Sequence, residues 1–209
     1  AGLNVEHHIL PGLYVSFIYN QAGSLVRWFR DTFAAADVRS SGNQDVYEEL
    51  NHEMPEQPTD LLVLPYFEIT GAPTFIDDAS GAIVGLKTST TRGEILKAIM
   101  ECETYYFVDS MDTVRRLGAD TSEIIASGGG VKSDAWLQIK ADILGVPVVR
   151  LENTESGTMG AAMTAGLATG VFSTVEEAVD QFVKFGARFE PRRNMNRIYA
   201  EKYEKYRLM

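Results

Sequence analysis

A mixed α/β architecture, with a sheet flanked by helices, is predicted by three observations. Short β-branched runs alternate with amphipathic helical patterns, and the alternation is tightest in "EIIASGGGVKSDAWLQIKADILGVPVVRL". The 209 residues show no repeat, low-complexity tract or clear linker, so they read as one domain. A chain of this length can bury roughly 70% of the surface its unfolded form exposes, so it needs no staple.

The elements follow in order. Residues 12–20, "GLYVSFIYN", are aromatic and β-branched and predict a buried strand. "GSLVRWFRDTFAAAD" predicts a helix that Gly23 or Ser24 can cap, with Leu25, Trp28, Phe29 and Phe33 forming its apolar stripe. The polar stretch 40–60 holds a surface helix at "DVYEELNHE" and a loop with Pro55 and Pro58. "LLVLPY" is strand-like, and Asp77, Asp78, Ser80 and Gly81 form a turn between two extended runs. The longest helical pattern runs through "TTRGEILKAIMECETYYFVDSMDTVRRLG", with Ile95, Ile99, Phe107, Met111 and Val114 on one face and Gly118 at the C′ position. A strand at 123–126, the glycines, a helix at 134–144 and a strand at 146–151 come next. The small-residue helix "SGTMGAAMTAGLATG" and two further helices, at 175–184 and 195–206, complete the prediction.

Composition narrows the partners. Lys+Arg 19 against Asp+Glu 29 gives a formal charge of -10, which repels nucleic acid and anionic lipid. The single cysteine, Cys102, excludes an internal disulfide and fits a reducing compartment. The longest apolar runs, such as "LLVLPYF", fall far short of the ~20 residues that span a bilayer, and the expected location is the cytoplasm. Because the chain starts at Ala1 rather than Met, it reads as a trimmed or excised piece.

The triple glycine carries the chemistry. Between a buried strand and a helix, residues without a Cβ permit a sharp bend and let a ligand press against the backbone, which Gly128, Gly129 and Gly130 satisfy. The next helix offers unpaired N–H groups and the positive end of its dipole, suited to phosphate, and Ser133 or Asp134 can cap it or reach a ligand. The stretch matches neither G-x-x-x-x-G-K-[ST] nor G-x-G-x-x-G, so the residues alone leave two readings open: a nucleotide cradle, or glycines that merely allow tight strand-to-helix packing.

Other candidates read as structure. His7 and His8 beside Glu6 point to opposite faces of a strand, and Glu49, His52 and Glu53 form a solvated helical face. Asp77 and Asp78 are turn residues, Cys102 is core filler, and "RRNMNRIYAEKYEKYR" is a solvated amphipathic helix docked on the domain. Gly160, Ala161, Ala162 and Ala165 suit close helix packing, while Gly157 can face a pocket. No residue set reads as a metal site.

"GGGVKSDAWLQIKADILGVPV", "ESGTMGAAMTAGLATG" and the earlier "LPY…GAP…DDASGAIVGLKTSTTRGEILKAIME" together resemble, in this order, the C-terminal half of the FGGY carbohydrate kinases. That family phosphorylates sugars and polyols such as xylulose, ribulose, fuculose and glycerol with ATP. "NQAGSLVRWFRDTF" and the tyrosine-spaced terminal helix (Tyr199, Tyr203, Tyr206) extend the resemblance over nearly the whole chain.

The resemblance implies an actin/hexokinase-type (ribonuclease H-like) domain whose glycine turn holds the nucleotide at a cleft between two lobes. Gly128 and Gly129 would meet the phosphate and ribose side, Gly130 would complete the turn, and Ser133 and Asp134 fall where the family places a polar contact to adenine. Residues 88–91 match a phosphate-side loop, with Ser89 in place of a glycine, and "EITGAPTF" lacks the usual Gly-Glu-Arg. The family's catalytic aspartate and Gly-Thr-Ser turn lie upstream of the region matched here, so no catalytic residue is assigned. The expected function is ATP-dependent phosphorylation of a sugar or polyol hydroxyl, xylulose first, by a parent enzyme. This chain would be its nucleotide-binding lobe, inactive alone, with Mg2+ arriving on ATP and the sugar bound mainly by the missing lobe. The alternatives are a stand-alone nucleotide-binding module and a non-catalytic homodimerisation module.

Overall fold

The computed structural model describes residues 4–17, 22–42, 45–68 and 78–209. Along the chain run β1 (Asn4–His7), β2 (Tyr14–Phe17), α1 (Ala22–Phe33), α2 (Ala35–Ser40), α3 (Val46–His52), β3 (Leu62–Leu64), β4 (Ala82–Val84) and α4 (Arg92–Arg116). They are followed by β5 (Ile124–Ala126), a single 3-10 turn (Gly129–Lys132), α5 (Asp134–Leu144), β6 (Val148–Leu151), α6 (Ser156–Ala168), α7 (Val175–Phe182), β7 (Phe185–Phe189) and α8 (Arg193–Tyr206).

Helix α4 is the axis of the core. Its start is fixed by a reciprocal cap in which the Glu94 N–H donates to Thr91 Oγ1 at 3.2 Å and the Thr91 N–H donates to Glu94 Oε2 at 2.7 Å. Its end is Gly118, whose φ of +87° makes it the expected C′ residue. From Leu96 to Tyr105 every side chain is buried, because α1, α3, α5 and β3 surround the helix. The stripe expected from Ile95, Ile99, Phe107, Met111 and Val114 is therefore too narrow: this segment is covered on all sides, and Lys97, Glu101 and Thr104 are hydrogen-bonded inside.

Glu101 is the centre of that pairing. It accepts from the Thr59 N–H at 3.2 Å, Thr59 Oγ1 at 2.8 Å, the Tyr199 hydroxyl at 3.1 Å and the Lys202 ammonium. Both ions are buried, at 0% and 7% exposure, and the pair binds α8 to α4. Nearby, the Tyr105 ring packs between Tyr203 and Tyr206 at 5.5 and 5.3 Å. The terminal helix docks as expected, although through a buried lysine as well as its apolar face.

The described strands form three sheets. β1–β2 and β3–β4 are antiparallel pairs, while β5 and β6 are parallel and β7 adds antiparallel to β6. The last sheet is mixed, as expected, and β7 was not predicted: "FGARF" carries a glycine and an arginine and pairs through a register shift.

Several local expectations need correction. β2 starts at Tyr14, later than predicted, residues 18–20 of the prediction lie outside the described residues, and all four residues of β2 are exposed, because nothing described covers the β1–β2 ribbon. The helix from Gly23 onward breaks after Phe33 and resumes as α2. α3 is not a plain surface helix, since Val46 and Leu50 enter the core. Asp77 lies outside the described residues.

Candidate functional site

The parallel strands β5 and β6 end together, with Ala126 opposite Arg150, and the glycine turn leaves from that edge. Ligand crevices in α/β sheets form at such carboxyl ends. Behind the turn a small apolar cluster of Val131, Leu137, Ala141 and Val148 joins the 3-10 turn to α5 and β6. Val131 is 2% exposed and anchors the turn from below.

Each glycine answers a different demand. Gly128 has φ +87° and ψ -176°, a conformation essentially restricted to glycine. Gly130 is a close approach: a Cβ there would lie 2.9 Å from Cζ3 of the buried Trp136 ring. Around Gly129 nothing lies within 4 Å of the Cβ position, and Gly128 is equally open. The outer face of the turn is therefore bare backbone. The N–H groups of Gly129 and Gly130 precede the first bond of the 3-10 turn, from Val131 N–H to Gly128 O at 3.2 Å, so they have no acceptor within it. Both sequence readings apply, packing at Gly130 and an accessible backbone surface at Gly128 and Gly129.

Ser133 is the N-cap of α5 and accepts from the Trp136 N–H at 3.2 Å. Asp134, the first residue of α5, is exposed and pairs with Arg150 Nη1 at 2.7 Å. The five predicted site residues are thus brought together on one strand-turn-helix unit. In contrast, two hydroxyls of the loop 88–91 are spent locally: Thr90 Oγ1 accepts from the Lys87 N–H at 2.9 Å, and Thr91 caps α4.

Sequence reasoning missed four residues at this edge. Arg150 donates to the Val131 carbonyl at 3.1 Å as well as to Asp134, and its guanidinium lies 5.7 Å from the Phe189 ring centroid. Ser127 and Ser156 meet hydroxyl to hydroxyl at 3.1 Å, and the Gly128 N–H donates to Thr154 O at 3.1 Å. The start of α6 is thereby tied to the turn. The signal for Arg150 is its position, a lone cation closing the apolar strand "VVRL".

Helix α6 buries only Met159 among its residues. The close packing expected of its small residues occurs at Gly166, where a Cβ would lie 2.5 Å from the Phe172 ring, and not at Gly160, while Gly157, like Gly160, faces open space. Elsewhere, Cys102 is fully buried, its Sγ accepts from the Val63 N–H at 3.2 Å, and burial pushes its thiol up to about 12. Glu53 does more than solvate its helix, since with Asp37 it holds Arg92, whose guanidinium keeps both carboxyls below their ordinary range. His7 lies on β1 with its ring 5.1 Å from that of Tyr14, and the His8 ring accepts from the Leu10 N–H at 3.0 Å. Among the described residues no group of three or more His, Cys, Asp or Glu is placed to hold a metal, and no helix is long and apolar enough to cross a membrane.

Comparison with known proteins bears on the family and the fold. Residues 7–169 match the model of the FGGY family of carbohydrate kinases, C-terminal domain. A xylulose kinase of Staphylococcus epidermidis is 31% identical over 209 residues, covering 99% of this chain and 41% of the relative. A xylulose kinase of Bacillus subtilis is 32% identical over 202 residues, covering 97% of this chain and 40% of the relative. The crystal structure of xylulose kinase from Rhodospirillum rubrum superposes with a TM-score of 0.79 at 28% identity, over 99% of this chain and 41% of that one. The chain thus spans about two fifths of the length of these relatives.

Proposed function

The chain belongs to the FGGY family of carbohydrate kinases, as its C-terminal domain, and on that premise we propose that it is the nucleotide-binding lobe of an ATP-dependent sugar or polyol kinase. Its α/β fold is the actin/hexokinase type of that family. The parent enzyme would phosphorylate a ketose hydroxyl, with xylulose the first substrate to try because the named relatives are xylulose kinases.

One observation carries the reading: bare backbone at Gly128 and Gly129, on the carboxyl edge of a parallel strand pair and beside a helix N-terminus. Freed N–H groups there suit the phosphates and ribose of ATP or ADP. Gly130 sets the height of the turn against Trp136. Ser133 and Asp134 then lie at the start of α5, where a polar side chain can meet adenine once the Arg150 pair rearranges. Mg2+ would arrive as a companion of the triphosphate. When bound it would neutralise phosphate charge, while the chain's own residues bind and orient the nucleotide.

Transfer also needs a base for the attacking hydroxyl and a closed, water-poor cleft, which we assign to the lobe upstream. The isolated domain would be inactive. The test is ATP turnover by a full-length kinase in which an upstream lobe precedes residues 1–209, with pentuloses, hexuloses and polyols as acceptors. Sugar-dependent ADP release supports the proposal, and its absence with every acceptor rejects it. The exposed β1–β2 ribbon favours a second reading, a dimerisation module. A concentration-dependent dimer indifferent to nucleotide would select that one.

A further inference from the structure

We propose that Arg150 is the positioning residue of the glycine turn, holding its backbone in nucleotide-accepting shape before nucleotide arrives. The inference rests on the nucleotide reading above. The turn is short, and Gly128 and Gly129 have no side chains to fix them, so its shape must be imposed from outside. Val131 anchors it from below through burial. Arg150 anchors it from the side: one guanidinium nitrogen donates to the carbonyl of Val131, within the turn, and to the carboxylate of Asp134, at the start of α5.

The guanidinium is itself held. Arg150 stands on β6, in register with Ala126 of β5 and at the register shift of the β6–β7 pairing, and the Phe189 ring of β7 lies 5.7 Å from its charge. A cation over a ring and bonded through one nitrogen to two oxygens has little freedom left, and a lysine, with a single compact ammonium, cannot put one nitrogen on those oxygens and a planar group over the ring. Arg150 is only 26% exposed at its side chain, while Asp134 is 69% exposed, so the arginine is the fixed member and the carboxylate the adjustable one. The same contact leaves Asp134 able to swing toward a ligand without releasing the Val131 carbonyl.

The test uses the full-length kinase carrying this domain, as wild type, Arg150→Gln and Arg150→Lys. Hydrogen exchange is read over residues 127–134 with and without ADP, and the KM for ATP is compared with kcat and the KM for sugar. Arg150→Gln is expected to speed exchange in the turn and raise the KM for ATP about ten-fold, the worth of one charge-assisted hydrogen bond, with kcat and sugar KM little changed. Arg150→Lys should recover only part of the loss. If ADP protects the turn in wild type but Arg150→Gln alters neither exchange nor KM, the positioning role is wrong while the nucleotide reading stands. If ADP leaves the wild-type turn unprotected, the nucleotide reading fails and takes this inference with it. Faster exchange spread over α5 and β6 as well would make Arg150 a general support of the fold, and would overturn the proposal.

Discussion

Replacing each glycine of the turn by alanine, one at a time, separates three roles that the sequence alone superimposes. In Gly130→Ala the new methyl would sit 2.9 Å from Cζ3 and 3.3 Å from Cε3 of Trp136. That ring is 4% exposed and has the Lys140 ammonium 4.6 Å from its centroid, so it has little room to retreat. Relief requires a shift of the order of half an ångström in a packed region, at a cost of about 1–3 kcal/mol. Gly128→Ala meets no atom within 4 Å but must hold φ near +87°, a strain of about 1–3 kcal/mol. Gly129→Ala meets neither obstacle and should be neutral, or stabilising by up to about 1 kcal/mol through the stiffer unfolded chain. At about 2–4 °C per kcal/mol for a chain of this size, the first two variants lose roughly 2 to 12 °C in Tm and the third none. Thermal unfolding followed by the fluorescence of Trp28 and Trp136 reads these shifts. In the full-length kinase the order reverses for nucleotide: Gly129→Ala keeps its stability yet raises the KM for ATP. Equal loss of stability at Gly129 and Gly130, or an unchanged KM in Gly129→Ala, would refute the assignment.

The other predictions concern the frame. Lys202→Met leaves the Glu101 carboxylate buried without its cation and is expected to cost about 3–5 kcal/mol in urea denaturation; a loss under 1 kcal/mol would contradict the buried pairing. Asp37 and Glu53 are held below their ordinary values of 3.8 and 4.5, chiefly by hydrogen bonds from Arg92. Folding therefore binds fewer protons than unfolding there, and their contribution is present above about pH 4.5 and is lost as the pH falls through the lowered values. Urea midpoints of wild type should fall more steeply from pH 5 to pH 3 than those of Arg92→Ala, and parallel curves would exclude the linkage. Cys102, with its thiol pushed up to about 12 by burial, should resist iodoacetamide at pH 8 in the native chain and take one adduct after denaturation, as mass spectrometry would show.

Legibility in the sequence followed local chemistry. Helix α5 was readable to its ends because Ser133 is a capping residue and Gly145 a stop, and the five candidate residues lie on that one contiguous unit. What lay between distant segments was not readable. Periodicity reads Glu101 and Lys202 as solvent-facing charges, and only the docking of α8 on α4 turns them into a buried pair. Arg150 could be seen as a cation ending a strand, but its tie to the turn depends on β5 and β6 lying side by side, and its ring contact on β7, whose glycine and arginine conceal the strand. The burial expected of the strand now seen at Tyr14–Phe17 failed for a related reason. Apolar alternation marks a surface that wants cover, without saying where the cover comes from.

The β1–β2 ribbon governs how this chain will behave in a tube. It is a sheet of two strands, so each has one backbone row unpaired among the described residues. Val5, Tyr14, Val15 and Phe17 meet water at 59%, 64%, 42% and 40% exposure. Flat, greasy margins of this kind template adventitious strand pairing. Concentrated stocks are therefore expected to turn cloudy first through this ribbon, and Val15→Lys should keep them clear, measured by light scattering, without altering the melting of the helical body.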